Sequence, residues 1–97
     1  MLKREMPPVH PGKILKEMYL GPLAITVTQL AKSLDVARRT VSLIINEHSG
    51  ISPDMALRFS VAFDTSPELW MNIQQSYDLW HASKRVVLKN VRRLNAA

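Results

Sequence analysis

The sequence predicts an all-α domain of five helices followed by a C-terminal extension. Three observations predict it. Helix starts are written repeatedly: Thr26 with Gln29 three residues on, Ser52-Pro53-Asp54, and Ser66-Pro67-Glu68. A hydroxyl at such a position accepts from the free N–H groups of the first turn, Pro loses nothing at the first helical residue, and an acid suits the positive helix end. Each start then leads into apolar residues at helical spacing. Finally, the stretch Thr26 to Glu47 reads as two short helices broken only at Asp35-Val36.

Residues 1–9 form an N-terminal arm, extended or disordered, because Pro7-Pro8 blocks a helix. Pro11 opens the first helix. Ile14, Leu15 and Met18 give it a core face, and Lys13, Lys16 and Glu17 lie outside. Gly21-Pro22 stops it. Thr26 caps the second helix, whose apolar set is Leu30, Ala31 and Leu34. Asp35 ends that helix in the left-handed region, which Asp enters more easily than most non-Gly residues. Val36 then fills the angle, and a third helix buries Val41, Ile44 and Ile45. Helices this short draw their stability from packing. The pair fits a helix-turn-helix, with its second helix offered to the DNA major groove. The plainer alternative is an αα-hairpin within a small bundle.

The outer face of the third helix favours the first reading. At about 100° per residue, Arg39, Leu43 and Asn46 point away from the buried side, with Ser42 beside them. Arg38 lies nearer the flank but in the first turn, where recognition helices meet base edges. A guanidinium can donate two bonds to guanine O6 and N7. Leu43, expected fully outward, has either a thymine methyl or plain solvent to face.

After Glu47, His48-Ser49-Gly50 ends the third helix with Gly50 as a left-handed cap. The fourth helix carries Met55, Ala56, Phe59, Ala62 and Phe63 on one stripe, which closes the core over the motif. Asp64-Thr65 links it to a fifth helix from Pro67 to Lys84, with Trp70, Ile73, Tyr77 and Trp80 beside Leu69 on one stripe. Met71 and Leu79 fall outside that stripe, as scattered surface residues or as part of a partner surface. Beyond Lys84, VVLKNVRRL suits either a helical extension through Val87, Val91 and Leu94 or a short strand.

Ninety-seven residues make one domain, able to bury roughly two-thirds of its unfolded surface. There is no Cys, which excludes disulfides and thiolate metal sites and fits an intracellular protein. The N-terminus lacks the apolar run of a signal peptide, and no stretch is long enough to span a bilayer. The formal charge is +5, yet residues 1–82 hold eight basic and eight acidic side chains; the excess lies in Lys84, Arg85, Lys89, Arg92 and Arg93. A basic tail suits phosphate backbones or is simply solvated. His10, His48 and His81 have no metal-ligand spacing and read as surface or capping residues, and Gly12, Gly21 and Gly50 form no phosphate loop. These features speak against an enzyme and imply no cofactor, metal or small-molecule ligand.

HPGKILKEMYL, followed by LAKSLDVARRTVSLIINEHSGISPDMALRFSVAFDTSPELWMNIQQSYDLW, closely resembles the HigA-type antitoxins, also called virulence-associated protein I-like, within the phage-repressor (XRE-type) helix-turn-helix group. The resemblance covers residues 10–80. It implies a phage-repressor-like fold and a dimeric repressor of a palindromic operator in its own promoter. It also implies a partner, a small HigB/RelE-like mRNA endonuclease toxin that the antitoxin neutralises. By position, Thr28 and Gln29 would lie near phosphates, and Arg38, Arg39, Thr40 and Ser42 would approach the groove. Trp70, Ile73, Tyr77 and Trp80 fall in the region such proteins use for core and dimer contacts. Asp35 departs from the Gly that phage repressors favour at the turn. The resulting expectation is a cytoplasmic, homodimeric DNA-binding antitoxin: an arm over 1–9, a DNA-binding domain over 10–82 and a basic tail over 83–97. The rival expectation is a free-standing repressor with no toxin.

Overall fold

The computed structural model describes residues 6–94; the ends of the expected arm and tail, residues 1–5 and 95–97, lie outside the described residues. All the regular structure described is helical. Helix α1, Pro11–Ile14, runs without a break into a π-helical segment, Leu15–Leu20. Then come α2, Val27–Leu34; α3, Arg38–Ile45; α4, Pro53–Phe63; and α5, Pro67–Arg85. The five expected helices are therefore all present.

The written start signals work as chemistry. Thr26 Oγ1 accepts from the Gln29 N–H at 3.1 Å, and Gln29 Oε1 accepts from the Thr26 N–H at 2.8 Å, a reciprocal capping box. Ser52 and Ser66 accept from the N–H groups of Met55 and Leu69. His10 caps α1 through Nδ1, which accepts from the Gly12 N–H at 2.8 Å. The stop signals are less faithful. Asp35 is left-handed as expected, at φ 58°. Gly21-Pro22 does stop the first helical stretch, which ends at Leu20, but Gly21 stays right-handed at φ −64° with its N–H bonded back to the Lys16 carbonyl, and the left-handed residue is Ala24. Gly50, expected as a left-handed cap, is not left-handed. The turn after α3 falls at Glu47, with φ 62°, where the chain folds back so that His48 and Ser49 donate to the Leu43 carbonyl. Gly50 is needed for space instead, since a Cβ there would stand 2.6 Å from the Gln74 side chain.

The π segment corrects the core face of the first helix. Its wider ring takes in one more residue per hydrogen bond. The buried side therefore passes from Leu15 to Tyr19 and Leu20, and Met18, expected inside, is 65% exposed. Tyr19 thereby reaches Phe63 at 4.4 Å and Trp70 at 5.6 Å between ring centroids. These rings and Phe59 join Leu15, Leu30, Val41 and Ile44 in a single core. In α4 the buried stripe is narrower than expected, because Ala62 is exposed.

Helix α5 enters the core through its first half, and Tyr77, half-buried beside His10, carries the contact just past its midpoint. Trp70 is fully buried and donates from Nε1 to Thr65 Oγ1 at 2.8 Å. One turn on, buried Gln74 accepts from the Ile51 N–H at 2.7 Å and donates to Asp78 at 3.0 Å, tying the loop after α3 to α5. Farther along, the helix leaves the body, so the described residues span 55 × 27 × 21 Å. Beyond Arg85 the described chain is neither helix nor strand, and residues 86–94 are all exposed.

Where α1 crosses the end of α3 there is no room for a side chain: a Cβ on Gly12 would stand 1.9 Å from the Ile44 carbonyl oxygen. Gly12→Ala should therefore cost about 1–3 kcal/mol of stability, as overpacking does, read by chemical denaturation. His10 gives a second expectation. Burial lowers its pKa below the ordinary 6.5, against the opposing pull of Glu47, Asp78 and a backbone bond to Ser49. The neutral ring's stabilisation is whole above that ordinary value and is lost as pH falls through the lowered one. The melting temperature should drop as pH falls below about 6.5, and less so in His10→Asn, which caps a helix without titrating there.

Candidate nucleic-acid interface

The turn between α2 and α3 presents the site. The Asp35 and Val36 N–H groups return to the Lys32 and Ala31 carbonyls, closing the end of α2. Val36 is half-buried against the core, as its place in the angle required. Helix α3 then sinks Val41 and Ile44 and leaves its opposite side outside. Its N-cap, Ala37, brings no side chain to the first-turn N–H groups.

The expected site residues divide by what holds them. Arg38, Arg39 and Asn46 are exposed, and Thr40 and Ser42 are half-covered. Leu43 is half-buried rather than fully outward, because the chain after α3 folds back toward its carbonyl. Arg38 donates from Nε to Thr28 Oγ1 at 3.1 Å, so the first turns of α2 and α3 are joined by one side-chain bond. Gln29, beside Thr28, uses its oxygen in the capping box and is exposed. Asn46 donates to Ser42 Oγ at 3.3 Å, one turn back. Among the described residues Arg39 has no hydrogen-bond or ion-pair partner. The expected site residues thus comprise Thr28 bonded to Arg38, Arg39 without a partner among the described residues, and Ser42 bonded to Asn46.

The stripe of α5 also divides. Trp70 belongs wholly to the core. Ile73 packs at the core margin. Tyr77 is half-buried between His10, edge-on at 4.8 Å, and His81 at 4.3 Å. Trp80 lies beyond the core, with His81 at 5.1 Å and the Lys84 ammonium 5.1 Å from its ring centre. Its neighbour Leu79 is half-exposed.

Sequence inspection missed Arg58. Its Nη1 donates to the carbonyls of Leu34 and Asp35 at 2.8 and 3.0 Å, and its Nε to Asp54 Oδ1 at 2.6 Å. The hydrogen bond and charge of Asp54 raise its pKa, so the cation is fixed at the end of α2. The available signal was the i, i+4 spacing of Asp54 and Arg58; nothing in it named the carbonyls. Among the described residues no group of His, Cys, Asp and Glu is placed to hold a metal ion, and no helix is long and apolar enough to cross a membrane.

A helix-turn-helix family model matches residues 15–70. The chain is 43% identical over 77 residues to virulence-associated protein I of Dichelobacter nodosus, covering 79% of this chain and 71% of that one. It is 39% identical over 85 residues to antitoxin HigA-1 of Vibrio cholerae, covering 88% and 80%. Its fold superposes on antitoxin GraA in complex with its operator with a TM-score of 0.88 at 41% identity, over 99% of this chain and 100% of that one.

Proposed function

Since this chain belongs to the helix-turn-helix family, with relatives named as HigA antitoxins and a solved likeness bound to its operator, we propose that it is a DNA-binding antitoxin that represses its own operon. The observation that carries this reading is the outer face of α3: a helix anchored by buried Val41 and Ile44 that holds two exposed guanidinium groups in its first turn. The activity is binding, not chemistry.

The geometry gives the two arginines different work. Arg38 shares a bond with Thr28 across the starts of two helices, which suits a phosphate at the groove edge, where position counts more than sequence. Gln29 adds a donor on the same side. Arg39 has both edges of its guanidinium free to pair with guanine. Ser42, Asn46 and the accessible part of Leu43 extend the reading face, and Thr40 flanks it. A homodimer would set two such faces roughly 34 Å apart, so the operator is an inverted repeat. The half-exposed far end of α5, with Trp80 and Leu79, supplies an apolar surface for that pairing. The tail's cations add a sequence-independent attraction to the duplex. The protein partner is a HigB/RelE-like endonuclease toxin, and the place of action is the cytoplasm, where the operon lies.

Two experiments test this. In mobility shifts on the region upstream of its own gene, Arg39→Ala should lose about 1–3 kcal/mol of binding and leave a scrambled duplex nearly unaffected. Arg38→Ala should weaken both duplexes alike and lower the salt slope by about one. Unchanged operator binding in both variants would remove the proposed face. Co-expression with the adjacent open reading frame should yield a complex in which a small toxin is silenced. A partnerless, operator-binding protein would identify a free-standing repressor instead.

A further inference from the structure

Only residues 35–37 separate α2 from α3, and their shape decides where Arg38 and Arg39 stand. Part of that shape is closed from within, by the N–H groups of Asp35 and Val36. The carbonyls of Leu34 and Asp35 are claimed from outside, by Arg58 of α4. The other edge of the same guanidinium is bound by Asp54, one turn earlier on α4. A surface arginine ordinarily samples many rotamers; charge-assisted bonds on both edges of a planar fork restrict this one. Its charge also lies at the negative end of α2, where a cation is favoured. Asp35, whose carbonyl is one of the two that accept from Arg58, is the left-handed residue of the turn, a conformation that persists where its surroundings hold it.

We infer that Arg58, oriented by Asp54, is a positioning residue for DNA reading: it locks the turn between α2 and α3 and so sets the attitude at which α3 carries Arg38 and Arg39 into the groove. The inference rests on the DNA-binding reading above. Helix α4 packs on α2, and α3 rests on α2 and α1, so the Arg58 bonds give α4 a direct hold on the turn. Base recognition works only within about half an ångström of its intended geometry, whereas attraction between cations and a phosphate backbone is tolerant of position. Loosening the turn therefore removes discrimination between sequences before it removes attraction to DNA.

The test compares wild type, Arg58→Met, Arg58→Lys and Asp54→Asn. Each is measured below its own melting temperature, on the upstream duplex and on a scrambled duplex of equal length at the same salt. The quantity read is the ratio of the two affinities. Arg58→Met should lower it about tenfold or more, the scale of one mismatched base pair. Arg58→Lys keeps the charge but cannot span two carbonyls and a carboxylate, so it should lower the ratio several-fold, as should Asp54→Asn. A lysine variant with the full wild-type ratio overturns the inference, even where its melting temperature has fallen and even where Arg58→Met does not fold. A wild-type protein with no preference for the upstream duplex overturns the DNA-binding reading itself, and this inference with it.

Discussion

An eight-residue helix cannot hold itself, and this constraint governs the molecule. Helix α3 has the direction its supports give it. Val41 and Ile44 are buried almost completely, and α1 lies so close across its far end that position 12 has room only for hydrogen. Its near end hangs from a three-residue turn, and α4 grips the carbonyl of the last α2 residue, Leu34, and of the first turn residue, Asp35. The buried side is thus fixed at both ends, and the opposite side is presented without any side chain having to fold away from solvent. The reading face is therefore a consequence of the packing behind it. Its residues are there because the core occupies the other half of the helix.

Much of this was legible in the amino-acid order. The starts at Thr26, Ser52 and Ser66 were visible because capping depends on a hydroxyl and its near neighbours along the chain. Asp35 was visible as a left-handed residue because the apolar spacing breaks there and Asp tolerates the conformation. What was not legible depended on contacts between distant residues. No residue type announces a π-helical ring; it accompanies the inward placement of Tyr19 against Phe63 and Trp70, so Met18 was assigned to the wrong side. Gly50 carried a sound cap signal, but the turn falls at Glu47, and the glycine answers instead to the Gln74 amide. The proposed reading residues lie on α2, on α3 and at its C-cap, yet the Thr28–Arg38 bond and the Arg58 grip cross from one helix to another. Spacing within a helix cannot reveal either.

Gln74 shows how one polar residue on an apolar stripe serves the reading face at a distance. Its amide oxygen satisfies the Ile51 N–H at the end of the loop that follows α3, and its nitrogen is held by Asp78. A buried amide with both ends satisfied has a narrow choice of geometry. The loop is thereby pinned to α5 on the side where Trp70 enters the core. The far end of α3 is fixed by α1 and this loop, and the near end by α4. The long helix thus supports α3 through Trp70 and Gln74 in its first half, while beyond Tyr77 its side chains are mostly exposed.

Charge is divided in the same way. Residues 6–82 hold six basic and seven acidic side chains, so the described body has no general excess of positive charge with which to attract a polyanion. Two of its basic residues stand in the first turn of α3, and a third, Arg58, is spent on the turn behind them with Asp54 as its counter-ion. Selectivity in such a body has to come from where guanidinium groups are placed, because their number confers nothing. The five cations of residues 84–93 stand on a segment that is exposed throughout. An exposed charged segment attracts phosphate over roughly a Debye length without regard to sequence. On the proposed reading, encounter and recognition are separated along this chain: long-range attraction falls to the tail's five cations, and discrimination to a helix whose attitude the core dictates.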